Sequence, residues 1–143
     1  MDRDEILRLL PHRDPFLMVD ALVELEPGKR AVGIKRVRAD EDWARGHFPG
    51  NPIFPGVLIT EALAQVAALI FLAGHQDHAG ATVYLVGVDK IRFRRVVRPG
   101  DELRLEVEVT GEKRRIWLFD GRATVGGERV ADGSFLATVQ EAT

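Results

Sequence analysis

One segment constrains this chain more than any other: residues 56–73, GVLITEALAQVAALIFLA. Its only polar positions are Thr60, Glu61 and Gln65. A helix apolar nearly all round must be buried nearly all round, in a protein core or in a bilayer. The length is close to the roughly 20 residues that a membrane span needs. Glu61 argues against a span, because an ionised acid at mid-bilayer costs about 2.5–3.5 kcal/mol on insertion scales. The segment therefore reads as the core helix of a water-soluble domain, ended by Gly74, and the rest of the chain must cover it on every side.

Strands supply that cover. Leu103, Leu105, Val107 and Val109 alternate with Arg104, Glu106, Glu108 and Thr110, the period of two that marks a strand with one wet face. Residues 16–25, 30–37, 83–97, 116–125 and 130–139 read as further strands. Pro27-Gly28 and Pro99-Gly100 mark turns, and Gly126-Gly127 marks a hairpin. Asp2 and Glu5 have the spacing of a capping box ahead of Ile6, Leu9 and Leu10, so a short helix precedes Pro11. The order is a short helix, two strands, an irregular stretch over 40–54, the long helix, then further strands. It lacks the βαβ alternation of a doubly wound sheet. The expectation is an α+β fold, with one antiparallel sheet curled around a central helix and a single domain over residues 1–143.

Composition removes whole classes of chemistry. The chain has 143 residues and no cysteine, which excludes disulfides, thiolate nucleophiles, zinc–thiolate sites and iron–sulfur clusters. Twenty basic and 22 acidic residues leave a formal net charge of −2, unlike a dedicated nucleic-acid binder. The charged N-terminus lacks a secretory pattern. The expected location is cytoplasmic, with no membrane and no nucleic-acid partner.

Candidate chemistry gathers around residues 46–57, GHFPGNPIFPGV, where three prolines and three glycines fix an unusual backbone path. His47 lies near its start, and Gly56 opens the apolar helix. Free N–H groups at a helix N-terminus suit a developing oxyanion. Glu61 is an acid in an apolar helix, costly unless partnered. It either serves as an acid, or points to a rim or pairs with an Arg. Gln65, one turn on, either hydrogen-bonds Glu61 or packs as a polar residue in a helix–helix contact. Together His47, Glu61 and Gly56 supply base, acid and oxyanion donor, a set suited to proton abstraction beside a thioester carbonyl. His12, between Pro11 and Arg13, reads as shaping a turn. His75, Asp77 and His78 have H-x-x-H spacing without further ligands, so no metal is expected.

Three stretches stand in a familiar order: LLPHRDPFLMVD (9–20), GHFPGNPIFPGVLITEALAQ (46–65) and VDKIRFRRVVRPGD (88–101). They resemble the (3R)-hydroxyacyl acyl-carrier-protein dehydratases of FabZ type, from bacterial type II fatty acid synthesis. The resemblance implies a hot-dog fold, a homodimer with shared active sites, and commonly a hexamer built as a trimer of dimers. It implies that His47 of one subunit works with Glu61 of the other, and that the Gly56 N–H polarises the thioester. The implied reaction is loss of water from (3R)-hydroxyacyl-acyl carrier protein to give the trans-2-enoyl product, a hydro-lyase activity without cofactor. Glu rather than Asp at position 61 implies little isomerisation of that product. Lys90, Arg92, Arg94, Arg95 and Arg98 would then dock an acidic acyl carrier protein, or simply solvate a strand edge. Tyr84 resembles a residue gating the acyl tunnel. Phe54, Ile53 and Ile59 line that tunnel or fill core. Residues 42–45, DWAR, depart from the family pattern without touching a chemical group. The alternatives are a hot-dog acyl thioesterase and a non-catalytic acyl-carrier binding module.

Overall fold

The structure, a computed structural model, describes residues 1–140. Helix α1 (Arg3–Leu9) precedes strands β1 (Ala21–Glu26) and β2 (Arg30–Arg36). A 3-10 turn at Asp42–Arg45 leads to helix α2 (Gly56–Gly74). Strands β3 (Thr82–Phe93), β4 (Glu102–Lys113), β5 (Ile116–Val125) and β6 (Glu128–Gln140) follow. The strands form a single six-stranded sheet in the order β1-β2-β4-β5-β6-β3, and every pair is antiparallel. The sheet wraps α2, which is the hot-dog arrangement expected from the sequence.

Local chemistry explains the elements. Asp2 caps α1 by accepting the Glu5 N–H at 2.9 Å, and the Glu5 carboxylate accepts the Asp2 N–H at 2.9 Å. Helix α2 has the hydropathy of a membrane span, yet 72% of its apolar window is buried inside the molecule. It is a core helix. It lies so near the sheet that a Cβ on Gly33 of β2 would stand 2.7 Å from the Val66 side chain, so only glycine permits this depth of packing. Leu63, Leu69, Leu103, Leu105, Phe119 and Phe135 complete the fully buried interior, each worth about 1.5–3 kcal/mol of transfer free energy.

The opposite face of the sheet is wet, as the period of two in β4 predicts. An ion-pair ladder crosses it. Glu24 pairs with Arg30 at 3.0 Å and with Arg104 at 2.8 Å, Arg104 reaches Glu106 at 3.1 Å, and Arg122 also pairs with Glu106. Hydrogen bonds from Arg30 and then Arg104 hold the Glu24 carboxyl below its ordinary range, and Arg122 does the same for Glu106.

The first strand departs from its predicted extent. Residues 16–20 are apolar enough to read as strand, but β1 begins at Ala21. Leu17, Met18 and Val19 are all buried in succession, but among the described residues no neighbouring strand pairs with their backbone. Their backbone is held instead by a side chain: Gln65 accepts the Met18 N–H at 2.8 Å and donates to the Phe16 carbonyl at 2.8 Å. Likewise β3 stops at Phe93 rather than running to 97. Beyond it, the Val97 carbonyl turns to accept the Phe54 N–H at 2.8 Å.

The two edges of the sheet differ. Edge strand β1 exposes Glu24 and Glu26. Edge strand β3 exposes Tyr84, Leu85, Val86 and Val88, side chains from both faces of the strand. An apolar edge of this kind is a template for another strand.

Candidate active site

His47 is set by a chain of contacts starting in the sheet. Lys35 on β2 is 3% exposed and pairs with Glu41, which also accepts the Arg38 N–H at 2.8 Å. This pair pins the segment leading to Trp43, whose ring meets Phe54 edge-on at 5.1 Å. The Trp43 carbonyl then accepts the His47 N–H at 3.0 Å. The imidazole stacks on Phe48 at 4.1 Å, and its Nδ1 lies 2.7 Å from the Ile53 carbonyl oxygen. A carbonyl can only accept, so Nδ1 carries a proton, and in the neutral ring Nε2 is the nitrogen that presents a lone pair. Lys35 gave no sequence signal of this role, because a lysine in a strand ordinarily faces water.

Pro55 caps α2 without a side-chain hydrogen bond. The first bonded amides are those of Leu58 and Ile59, both on the Pro55 carbonyl, at 2.9 and 3.2 Å. Among the described residues the Gly56 and Val57 N–H groups have no partner, as a helix N-terminus leaves them. The Phe93 ring lies directly over Gly56, and a Cβ there would sit 3.0 Å from it. A side chain at position 56 would have to push the half-exposed Phe93 ring aside.

Glu61 lies on the next turn with its side chain 20% exposed. The Gln65 amide donates to its Oε1 at 3.4 Å, and His12 Nε2 stands 3.6 Å from the same oxygen. Among the described residues no Lys or Arg pairs with Glu61, so the pairing with an Arg weighed from sequence does not occur. Gln65, 1% exposed, donates to Glu61, and instead of a helix–helix contact it bonds the non-helical backbone at Phe16 and Met18. The His12 contact escaped sequence reading because 49 residues separate it from Glu61.

Among the described residues no hydrogen bond or ion pair joins His47 and Glu61. A cavity of about 430 Å³ lies elsewhere, on the outer face of the sheet between Arg30, Glu106, Arg122 and Asp132. Phe54 and Ile59 are core residues, each 2% exposed, while Ile53 is half-buried and Tyr84 reaches the surface, where its hydroxyl bonds Gln140.

The basic run is partly spent on the protein itself. Arg94 grips Asp132 at 2.6 and 3.2 Å and holds that carboxyl below its ordinary range. Arg95 pairs with Glu128 at 3.1 Å and Asp101 at 3.4 Å, and Arg98 donates to Asn51 at 2.8 Å. Lys90 and Arg92 are exposed and form no ion pair among the described residues. His75 and His78 belong to an aromatic cluster with Phe71 and Trp117, and no group of metal-ligating residues occurs among the described residues.

Comparison with known proteins fixes the family. The FabA-like domain family matches residues 10–134. A 3-hydroxyacyl-[acyl-carrier-protein] dehydratase FabZ of Myxococcus xanthus is 52% identical over 140 residues, covering 97% of this chain and 92% of the relative. The chain belongs to the FabZ family of dehydratases. Solved structures agree on the fold. A chain of the dehydratase heterocomplex ApeI:P from Xenorhabdus doucetiae superposes with a TM-score of 0.82 at 17% identity, over 95% of this chain and 91% of that one. A hypothetical thioesterase with coenzyme A from Streptococcus pneumoniae reaches 0.64 at 16% identity, over 85% of each chain. At such identities the architecture is common property and the chemistry is not. The FabZ assignment rests on sequence identity across nearly the whole chain.

Proposed function

We propose that this chain dehydrates (3R)-hydroxyacyl thioesters of acyl carrier protein to trans-2-enoyl thioesters in fatty acid synthesis, in the cytoplasm. Neutral His47 uses the lone pair of Nε2 to take a proton from C2. The Gly56 N–H receives the charge that develops on the thioester oxygen. Protonated Glu61 of the partner subunit gives its proton to the departing 3-hydroxyl, which leaves as water. His47 ends as imidazolium and Glu61 as carboxylate, and proton exchange with solvent restores both. The thioester itself acidifies C2, so the scheme needs no cofactor.

The observation that carries this reading is the His47 hydrogen bond to the Ile53 carbonyl, because it leaves Nε2 as a base. That no hydrogen bond or ion pair joins His47 and Glu61 within one chain, among the described residues, supports a site shared across a dimer. The apolar β3 edge supports strand-to-strand pairing of two copies about a two-fold axis. The trimer of dimers is an extension drawn from the family, and light scattering separates the two states. In this scheme the half-buried Ile53 and the exposed Tyr84 line an acyl tunnel between protomers, with the buried Phe54 and Ile59 packing behind. Lys90, Arg92 and Arg98 are the cations of the basic run best placed to dock the carrier, since Arg94 and Arg95 are held by carboxylates.

The test is hydration of a crotonyl thioester followed by loss of ultraviolet absorbance, with thiol release read in parallel. Hydration without thiol release is expected. Thiol release without hydration would select a thioesterase, and neither activity in folded protein would leave only a carrier-binding module. Run with carrier-linked and short thioesters, the assay also tests docking. Lys90→Glu with Arg92→Glu is expected to slow the carrier-linked reaction alone, and equal losses on both substrates would remove the docking surface.

A further inference from the structure

His12 is a half-buried imidazole that the scheme above does not use. Its Nδ1 is enclosed and has no hydrogen-bond partner, while its Nε2 faces Glu61 Oε1 at 3.6 Å. A proton on Nδ1 would be a buried donor without an acceptor, at a cost of about 1–3 kcal/mol. A lone pair on Nε2 would face the lone pairs of a carboxyl oxygen. The neutral ring protonated on Nε2 avoids both, leaving Nδ1 a buried acceptor without a donor.

The backbone on both sides of the ring is tied down. Arg13 donates to the Leu10 and His12 carbonyls at 2.9 and 2.7 Å and to the Leu7 carbonyl at 3.0 Å, fixing the chain at the end of α1. Gln65 fixes the chain on the other side through Phe16 and Met18. Gln65 also donates to Glu61 Oε1. Two donors thus converge on one oxygen of the carboxyl, and nothing among the described residues donates to the other.

We propose that His12 is a positioning residue for Glu61. Its Nε2–H, together with the Gln65 amide, marks Oε1 as the accepting oxygen and leaves Oε2 to carry the proton delivered to the departing hydroxyl. This inference rests on the acid role of Glu61 proposed above. The 3.6 Å separation exceeds a formed hydrogen bond. Such contacts are often long before substrate binds and tighten in the complex.

The test compares His12→Leu, which removes the donor, with His12→Gln, which returns an N–H near the place of Nε2. His12→Leu is expected to lower kcat for crotonyl thioester hydration by up to about 100-fold, the scale of a misplaced reacting group, with KM little changed. His12→Gln is expected to recover most of that loss. Equal losses in both variants, or wild-type kcat in His12→Leu, would overturn the proposal. A second measurement needs no foldable variant: long-range proton–nitrogen correlation on labelled wild-type protein near pH 8, where an ordinary histidine is neutral. An Nε2–H tautomer for His12 is expected, and an Nδ1–H tautomer overturns the inference. Glu61→Gln is the control. If it keeps wild-type turnover, the acid role of Glu61 fails; if it is inactive while His12→Leu is not, only the role of His12 fails.

Discussion

The two ends of α2 are built to opposite rules. At the N-terminal end, Gly56, Thr60, Glu61 and Gln65 occur within ten residues, amides stand free and two histidines lie near. At the C-terminal end the polar residues are gone. Phe71 stacks on His75 at 4.3 Å and meets Trp117 edge-on at 5.1 Å. The His75 ring also donates through Nδ1 to the Phe71 carbonyl at 3.0 Å, closing the helix. The same kind of side chain therefore does different work at each end. Histidine near the N-terminal end faces a carboxyl or presents a lone pair, whereas histidine at the C-terminal end is a flat packing surface and a cap. Chemistry concentrates where the helix leaves donors unpaired, and stability concentrates where it closes them.

The largest expected effect tests the N-terminal end directly. His47→Ala and Glu61→Gln should each lower thioester hydration by about 100- to 10,000-fold, the range of a lost general acid or base. Thermal unfolding should barely change, because neither side chain anchors the core. Mixing the two inactive proteins should restore measurable hydration, since a dimer carrying one copy of each contains one intact site. A mixture as inactive as its components, with subunit exchange verified, would place each site within a single chain.

Gln65 is where the two rules overlap. Gln65→Leu preserves volume but strands the buried Met18 N–H, a loss of about 1–3 kcal/mol when unpaired, and removes the donor to the part-buried Phe16 carbonyl. It also frees Glu61 Oε1 from its nearest donor. Both a lower unfolding midpoint and a kcat loss of about tenfold are expected, the latter from a less well positioned acid. Denaturant titration and kinetics on the same sample check it. A stability loss with unchanged kcat would make Gln65 an anchor only and sharpen the boundary between the two ends.

How much of this was readable from sequence follows the same division. The wrapped helix was legible because an apolar segment with so few polar residues has few places to go, and β4 was legible because one of its faces is wet. Residues 16–20 were misread as strand because apolar content alone does not say what pairs with the backbone; a side chain 47 residues away in sequence does so. The candidate residues His47, Gly56 and Glu61 stood out as polar or flexible groups in an apolar or proline-rich setting. His12 did not, because its meaning lies in an orphaned nitrogen and a long-range contact. The basic run was legible as charge, but its pairing with Asp132, Glu128 and Asp101 was not, since those acids come from other parts of the sheet and its turns.

The smallest expected effect belongs to the C-terminal end and tests whether it is only structural. Phe71 is half-buried among Ala67, Ala68, Val83 and Trp117. Phe71→Ala should cost about 2 kcal/mol, less than the 3–5 kcal/mol typical when a fully buried Phe is truncated. The lost contacts are the stack on His75 and the edge of Trp117, each worth about 0.5–1.5 kcal/mol when the partner is aromatic. Because no group of the proposed reaction lies in that cluster, kcat per folded molecule on a short thioester should stay within about twofold. Denaturant midpoints and active-site-normalised kinetics measure the two quantities separately. A kcat loss larger than the stability loss explains would mean that the aromatic end reaches the acyl chain, and the contrast between the two ends of α2 would then be one of substrate regions rather than of chemistry and packing.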